Sequence, residues 1–354
     1  MKKAIIALSG GVDSSVAALL TVQAGYGCIG ATMKLFTNDD AGVSRENSCC
    51  SLDEVEDARS VAFSLGMEHY VFNFADRFRE TVIDPFVAAY ETGRTPNPCI
   101  ECNRCLKFDT LFRRMEELSY DFVVTGHYAR IEQSGGRFLL KKAADASKDQ
   151  SYVLYAMTQK QLSHTLFPLG GLNKTEVREI AEKHGFVNAH KHDSQDICFV
   201  QSGSYIDFIR QYTGREYPPG DFVDANGNVL GRHRGIIRYT VGQHKGLGIP
   251  SAVPLYVCEI RPEDNTVVLG REEELYTSSL TARGVNWIAW DRLDAPARVT
   301  ARIRYRQKEQ PATVRQTGED EIRVEFDEPQ RAVTRGQAVV LYDGELVLGG
   351  ATIV

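Results

Sequence analysis

The amino-acid sequence predicts a doubly wound α/β domain built on a parallel sheet, followed by two small β-rich domains. Two observations carry this reading. Over the first third of the chain, short β-rich runs alternate with amphipathic helical stretches, which is the order of a parallel sheet with crossover helices. Past about Tyr205 only short strand-like runs remain, punctuated by Pro218, Pro219, Gly220 and the Asn226-Gly227 turn. The expected domains are 1–204, 205–274 and 275–354, the last two divided where Arg271 to Tyr276 (REEELY) interrupts the strands.

Each element follows from a local pattern. Ala4 to Leu8, Ile29 to Leu35, His69 to Phe74 and Asp121 to Gly126 are predicted strands buried in the sheet. Ser14 to Ala24, Leu52 to Leu65, Phe78 to Tyr90 and Glu101 to Leu118 carry helical apolar spacing. In such a sheet ligands are held outside the carboxyl ends of the strands. Ala129 to Ile131 and Arg137 to Leu140 flank Ser134-Gly135-Gly136 as a hairpin, and a helix from Lys174 stops at Gly185.

Composition narrows the function classes. The chain of 354 residues, 43% hydrophobic and 25% charged, has the make-up of a globular enzyme of two or three domains. A net charge of −6 argues against a protein that coats nucleic acid indiscriminately, since that binding rests on phosphate neutralisation. No apolar run approaches the ~20 residues of a membrane span. The opening MKKAIIALSGG reads as a strand entering a glycine turn, so a cytoplasmic location without a membrane partner is expected.

Eight cysteines in such a chain are reactive, metal-binding or buried rather than disulfide staples. Cys28 and Cys258 lie in apolar stretches and are expected in the core. Cys49 and Cys50 adjoin each other, Cys99, Cys102 and Cys105 share a polar loop, and Cys198 follows an acidic segment.

The first strand runs into Ser9-Gly10-Gly11-Val12-Asp13-Ser14-Ser15, and a helix follows. Adjacent glycines let the backbone approach a polyanion, while Ser14 and Ser15 add hydroxyls where the helix dipole is positive. This is a phosphate cradle, though neither a Walker loop nor a dinucleotide fingerprint. Asp13 beside phosphates makes sense if Mg²⁺ bridges them.

A second signal is Gly93 to Phe108, GRTPNPCIECNRCLKF. Pro96 and Pro98 stiffen a loop, and a helix starting near Glu101 would set its positive end beside Cys99 and Cys102. With Arg94, Arg104 and Lys107 nearby, a thiolate nucleophile is expected. The alternative is a structural zinc knot, which needs four ligands where no second CxxC exists. In Lys191 to Val200, KHDSQDICFV, Cys198 reads equally as a core residue or as the end of a functional polar string.

With these residues in view, SGGVDSS resembles the PP-loop of the ATP pyrophosphatases, adenine nucleotide α-hydrolase-like enzymes that adenylate an acceptor oxygen. Over essentially its whole length the chain resembles the bacterial tRNA-specific 2-thiouridylases, which sulfurate the wobble uridine of tRNAs for Lys, Glu and Gln. The resemblance rests on ALSGGVDSSVAA, RTPNPCIECNRCLKF, TGHYAR, KDQSYVLY, LFPLGGLNKTEVREIA, KHDSQDICFV, YTVGQHKGLG and RIRYRQ. It implies an α/β PP-loop domain that binds ATP, with Mg²⁺, through Ala7, Leu8, Ser9, Gly10, Gly11, Val12, Asp13, Ser14, Met33 and Gly126. It makes Cys102 the nucleophile and Cys198 the carrier of a persulfide. Asn97, Pro98 and Cys99 would lie against the target uridine of a tRNA anticodon stem-loop. His127, Lys148, Asp149, Gln150, Arg304, Tyr305 and Gln337 would contact the tRNA.

One departure matters: many members have Asp where Cys99 stands. Cys99, Cys102 and Cys198 therefore resemble the ligand set of a subset that holds an iron–sulfur cluster, whose open iron could carry exogenous sulfide. The sulfur would come from the donor protein of a relay or from inorganic sulfide. Arg302, Arg304, Arg306 and Lys308 alternate as on one face of a strand, with Tyr305 between, and Arg232, Arg234, Arg238 and Lys245 form a second basic stretch. Alternation alone suggests a solvated strand; the resemblance turns it toward tRNA. The rivals are an amide-forming PP-loop synthetase, which leaves the thiols idle, and a non-catalytic tRNA-binding or iron–sulfur scaffold.

Overall fold

The computed structural model describes residues 1–36, 52–191, 197–200 and 204–354, so Cys49, Cys50 and positions 192–196 of the 191–200 motif lie outside the described residues. The chain folds as two units, one of Met1–Val82, Cys99–Gly203 and Glu345–Leu348, the other of Ile83–Pro98, Ser204–Gly344 and Gly349–Val354.

The first unit contains β1 (Lys3–Ala7), β2 (Gly27–Lys34), β3 (Glu68–Asn73), β4 (Phe122–Val124), β5 (Arg130–Ser134), β6 (Arg137–Lys141) and β7 (Thr165–Leu166). Five of them form the expected parallel sheet, in the order β3-β2-β1-β4-β7. Its two middle strands are the most apolar: Ile5, Ile6, Val123 and Val124 are fully buried. Helices α1 (Val12–Gln23), α2 (Leu52–Ser64), α3 (Pro98–Cys102), α4 (Leu111–Glu117) and α5 (Lys174–Lys183) belong here. Val16 and Ala17 of α1, Val61 and Ala62 of α2, and Val177 and Ala181 of α5 share one core cluster with Ile6 and Val124. The α5 helix starts in a capping box between Asn173 and Glu176, and Gly185, at φ +65°, follows its end.

Two expectations about this unit are corrected. The third strand is not buried: β3 is an edge strand, with Tyr70 and Val71 nearly half exposed. The cysteine segment is not a loop, because a helical run begins at Pro98 rather than Glu101. It passes through a π-helical stretch, Asn103–Thr110, into α4. Proline is at ease at a helix start, where its missing N–H has no partner to lose. The β5–β6 hairpin forms on Gly135 and Gly136, whose positive φ values of 57° and 80° match the primed turn of a two-residue loop.

In the second unit a helix over Asp84–Glu91 and α6 (Tyr205–Thr213) meet through Phe86 against Phe208 and Tyr90 against Tyr205. Strands β8 (Gly220–Val223), β9 (Val229–His233), β10 (Tyr256–Arg261) and β11 (Thr266–Gly270) make a four-stranded sheet. A short 3₁₀ turn, Glu272–Leu275, leads into β12 (Tyr276–Trp287), β13 (Ala297–Arg302), β14 (Gln310–Gly318), β15 (Glu321–Arg331), β16 (Ala338–Asp343) and β17 (Leu346–Ile353). These six run β12-β15-β14-β13-β16-β17, and pairing of β12 with β17 closes them into a barrel. Cys28 in β2 and Cys258 in β10 are half-buried rather than core residues, their thiols pushed up to about 11 by burial.

The basic alternation does not lie on one strand face. β13 ends at Arg302, and Arg304 to Arg306 turn away from it. The Arg302 side chain pairs with Glu309 at 2.9 Å and lies over the Tyr342 ring. Arg304 donates to the carbonyls of Val241 and Ala332 and to the Thr334 hydroxyl. Tyr305, Arg306 and Lys308 are the exposed members.

Candidate active site

The phosphate loop is built at the carboxyl end of β1. Gly10 has φ +72°, and a Cβ there would come within 2.5 Å of the Glu54 carbonyl oxygen, so glycine is required on both counts. The Ser14 and Ser15 hydroxyls both donate to the Gly11 carbonyl, at 2.9 and 3.0 Å. The Ser9 N–H donates to Ser14 Oγ at 3.2 Å. Gly11 stands at the N-cap of α1 and offers no side-chain cap, which leaves the first-turn N–H groups to an anion. Asn188 braces the loop from outside, its amide donating to the Gly10 carbonyl and to Ser15 Oγ, both at 2.9 Å. Lys191 stands beside it, Nζ 3.1 Å from Asp57 and 3.7 Å from Glu54.

Asp13 has partners that its sequence neighbourhood does not reveal. Lys174 Nζ donates to both of its carboxylate oxygens, at 2.8 and 2.9 Å, and the Tyr128 hydroxyl donates to one of them at 2.7 Å. Tyr128 is in turn clamped by Gln150, which accepts from its N–H and donates its own N–H to its carbonyl. Lys174 and Tyr128 were missed as site residues; the only sequence signal was their place in NKTEV and TGHYAR.

The thiols gather in the same unit. Cys198 bears electrostatically on both Cys99 and Cys102, and Lys107 acts on both in the opposite sense. Phe199, fully buried against Phe78, anchors the chain beside Cys198. Cys99 and Cys198 are exposed and Cys102 is half-exposed. The expected depressed thiol is not found: burial pushes Cys102 up to about 12, and it also raises Cys99 and Cys105. Lys107 opposes the rise without cancelling it. Arg104 is spent on Glu101, and Arg94 belongs to the other unit. Cys102 is also a turn inside the helix rather than at its positive end.

A pH dependence follows. Burial disfavours the thiolate, so Cys102 is protonated at neutral pH and gains thiolate about tenfold per pH unit well beyond the value near 8.5 where a free thiol levels off. Alkylation of Cys102 by iodoacetamide, read by mass spectrometry, is expected to keep accelerating past about pH 10. A plateau near pH 8.5 would contradict the burial of this sulfur.

The C-terminal end of β4 joins loop and thiols. Gly126 packs on the first turn of α1, where a Cβ would come within 2.8 Å of the Asp13 carbonyl carbon and the Ser14 nitrogen. The next residue, His127, accepts at Nε2 from Lys107 Nζ at 3.3 Å, and its Nδ1 lies 2.7 Å from the Thr125 hydroxyl. Burial, with Lys107 adding to it, holds His127 well below the ordinary histidine value, so it stays neutral. Met33 stands at the carboxyl end of β2, beside the same strand ends. Among the described residues, no group of three or more His, Cys, Asp or Glu is placed to hold a metal ion.

Comparison with known proteins gives the family of the chain. A family model described as the tRNA methyl transferase HUP domain matches residues 2–202, that of the tRNA methyl transferase PRC-barrel domain 206–271, and that of the aminomethyltransferase beta-barrel domain 277–353. The tRNA-specific 2-thiouridylase MnmA of Clostridioides difficile (strain 630) is 51% identical over 99% of this chain and 98% of its own. That of Lachnoclostridium phytofermentans is 51% identical over the full length of both. This chain belongs to the tRNA-specific 2-thiouridylase family. A solved 4-thiouridine synthetase–RNA complex with bound ATP is 20% identical over 60% of this chain and 50% of its own, with a TM-score of 0.38, too slight a likeness to build on.

The residues that resemblance to this 2-thiouridylase family assigned to tRNA fall into two kinds. Several are committed within the protein. His127 is buried with both ring nitrogens engaged, and Asp149 accepts from the N–H groups of Ala143 and Ser151 and from the Ser151 hydroxyl. Gln150 holds Tyr128, and Arg304 ties the 241 and 332–334 loops. In the second unit, Gln337 donates to the carbonyls of Thr95 and Pro96 at 2.7 and 3.3 Å, and Thr95 N–H donates to the Arg335 carbonyl. It thereby seats the loop that carries Asn97 and Pro98 into α3. Lys148 and Asn97 are half-buried, while Cys99 and Tyr305 are exposed.

Proposed function

We propose that this chain is an ATP-dependent tRNA uridine 2-sulfurtransferase. It adenylates the 2-carbonyl oxygen of the wobble uridine of tRNAs for Lys, Glu and Gln, releasing pyrophosphate, and then replaces the adenylate with sulfur, releasing AMP. The observation that carries this reading is the end of β4: Gly126 touches the phosphate loop and His127 touches the lysine that bears on the thiols. An amide-forming synthetase would use the loop and leave the sulfurs idle. So would methyl transfer, the reaction in the descriptions of the family models.

Uracil oxygen is a poor leaving group, and the adenylate makes it a good one. The triphosphate would be received by Ala7 to Ser14, with Met33 and Gly126 beside the nucleotide. Mg²⁺ is a hard cation satisfied by phosphate oxygens, water and one or two carboxylates, a set that Asp13 at the loop can join. The terminal sulfur of a persulfide on Cys198 attacks C2, and AMP departs. Cys102 then attacks the inner sulfur, freeing the thiocarbonyl and leaving a Cys102–Cys198 disulfide that an external thiol must reduce. Cys99, exposed beside both, faces the incoming base with Asn97 and Pro98. An iron–sulfur cluster, if bound, would be held by Cys99, Cys102 and Cys198; among the described residues no group of three or more His, Cys, Asp or Glu is placed to hold a metal ion, and no step is routed through a cluster. A donor protein would load Cys198 by passing on the outer sulfur of its own persulfide. Inorganic sulfide would do so only by attacking Cys198 Sγ of the Cys102–Cys198 disulfide left by a previous turnover, which breaks the S–S bond, expels the Cys102 thiolate and leaves the persulfide on Cys198. Among the described residues no helix is long and apolar enough to cross a membrane, and we place the protein in the cytoplasm with its tRNA.

For tRNA we retain Tyr305, Arg306 and Lys308 as the exposed contact, with Arg304, His127, Asp149, Gln150 and Gln337 positioning the surfaces around the anticodon stem-loop. Arg306→Glu combined with Lys308→Glu is expected to weaken tRNA binding about tenfold or more with ATP binding unchanged. Equal tRNA affinity in a filter assay would count against it. The reaction itself is tested by mass analysis of tRNA nucleosides after incubation with ATP and sulfide. The reading requires 2-thiouridine, and AMP formation that depends on tRNA; AMP without tRNA would favour a small-molecule synthetase.

A further inference from the structure

Cys99 has a chemical capacity that the steps above leave unused. It lies in α3, three residues before Cys102, and both belong to the α-helical stretch that begins at Pro98. Residues three apart on an α-helix have Cα atoms about 5 Å from each other. That falls inside the window a disulfide spans, roughly 4.4–6.8 Å. A CxxC pair of this spacing is what dithiol–disulfide oxidoreductases use. Cys198 acts electrostatically on both thiols, so the three sulfurs share one neighbourhood.

Their surroundings give these sulfurs unequal access. Cys99 and Cys198 are exposed, whereas burial dominates at Cys102. The helix is anchored around Cys102 by Ile100, which is buried, and by Asn103, also buried, whose amide donates to the Val153 carbonyl at 3.1 Å. Cys105 is engaged elsewhere: its thiol lies 3.9 Å from the Glu101 carboxylate and its carbonyl accepts from the Thr110 hydroxyl. A dissolved thiol that attacked Cys198 in the Cys102–Cys198 disulfide would leave its own adduct on the sulfur carrier. A thiol that attacks Cys102 instead releases Cys198 at once. A neighbour held in reach makes that attack faster than a dissolved thiol, because its effective concentration exceeds that of any free pool.

We infer that Cys99 is the resolving thiol of the cycle: it takes Cys102 out of the Cys102–Cys198 disulfide and presents a Cys99–Cys102 disulfide to an external dithiol. Cys99 gives its proton to solvent, and its thiolate attacks Cys102 Sγ. The bond from Cys102 to Cys198 breaks, and Cys198 departs as a thiolate ready for reloading. The external dithiol then attacks the exposed Cys99 Sγ and expels the Cys102 thiolate. Its second sulfur displaces Cys99, so the dithiol is oxidised to its own disulfide and both protein thiols are restored. The inference rests on the sulfurtransferase reading.

The test is a single turnover by the full chain followed by disulfide mapping. Protein loaded at Cys198 with a small-molecule persulfide, and freed of the excess, is given ATP and tRNA without reductant, blocked with N-ethylmaleimide and digested with trypsin. Cleavage after Arg94 and Arg104 leaves Cys99 and Cys102 together in peptide 95–104, with Cys105 in 105–107 and Cys198 in 192–210. Peptide 95–104 is expected to carry an internal disulfide in proportion to the 2-thiouridine formed, with Cys198 alkylated. In Cys99→Ser the same peptide should instead be linked to 192–210. At limiting dithiothreitol, the steady-state rate of Cys99→Ser, relative to its own first turnover, should fall about tenfold or more. Linkage of 95–104 to 192–210 or to 105–107 in the wild-type chain would overturn the proposal, and that map decides even if the variant fails to fold. An unchanged ratio in folded Cys99→Ser would overturn it too. A loaded wild-type chain that forms neither 2-thiouridine nor any disulfide would instead remove the sulfurtransferase reading, and the inference with it.

Discussion

Cys102→Ser is expected to abolish 2-thiouridine formation while leaving tRNA-dependent AMP release within about twofold of the parent. The loss should reach about 10³-fold or more, the scale seen when a covalent nucleophile is removed. The reason is chemical rather than structural. A serine hydroxyl cannot form the disulfide that releases sulfur from Cys198, and Cys105 is held with Glu101 and Arg104. The phosphate loop draws on β1, α1 and β4 and does not touch Cys102, so activation of the uridine should continue. Stability should fall by about 1–3 kcal/mol, since a buried thiol is replaced by a more polar hydroxyl of similar size. The two activities are separable by nucleoside mass analysis and by thin-layer assay of AMP. Undiminished thiolation by Cys102→Ser would remove Cys102 from the mechanism.

Gly126→Ala is expected to damage the opposite half of the reaction. The added methyl would stand 2.8 Å from the Asp13 carbonyl carbon and the Ser14 nitrogen, and 3.0 Å from the Asp13 oxygen. All three are backbone atoms of the first turn of α1, so no side chain can swing aside. Nor can the strand yield, because β4 lies inside the sheet between β1 and β7. Overpacking of this kind costs about 1–3 kcal/mol of stability. The displaced first turn carries the N–H groups meant for phosphate, so ATP affinity should fall about 10- to 100-fold, the penalty of misplacing a positioning element. Denaturant unfolding and ATP binding measured on the same preparation check both. Parent-like ATP affinity would show that the contact at Gly126 does not shape the nucleotide site.

The parts of the fold that were legible are those with a local cause. Ala4 to Leu8 and Asp121 to Gly126 are apolar because they form or flank the two central strands, and that burial is written in composition. The same reasoning misplaced β3, since a run of aromatic and branched residues looks alike at a sheet edge and in its middle. The two-residue β7 left no pattern to find. Alternation from Arg302 to Lys308 continued past the end of β13, where the chain turns, and so suggested a shared face that does not exist.

For the site, the phosphate loop, Gly126 and the thiols could all be named from motifs, each being a short string whose chemistry is local. The ion pair of Asp13 with Lys174 spans 161 positions, and the Gln337 clamp on Thr95 spans 242; neither has a local signature. The protonation of Cys102 was misjudged for a related reason. Cations near in sequence favour the thiolate, whereas burial, which depends on what packs from elsewhere in the chain, dominates.

By itself the sequence determined the α/β class, the phosphate-binding turn and the presence of three thiols suited to sulfur chemistry, because backbone freedom at glycine, strand patterning and thiol nucleophilicity are properties of a residue and its neighbours. Only the tertiary structure decided which lysine meets Asp13, which side chains are spent on holding loops, and that burial holds the Cys102 thiol protonated despite Lys107. Those outcomes depend on solvent exclusion and on long-range partners, and both come into being only when distant segments pack together.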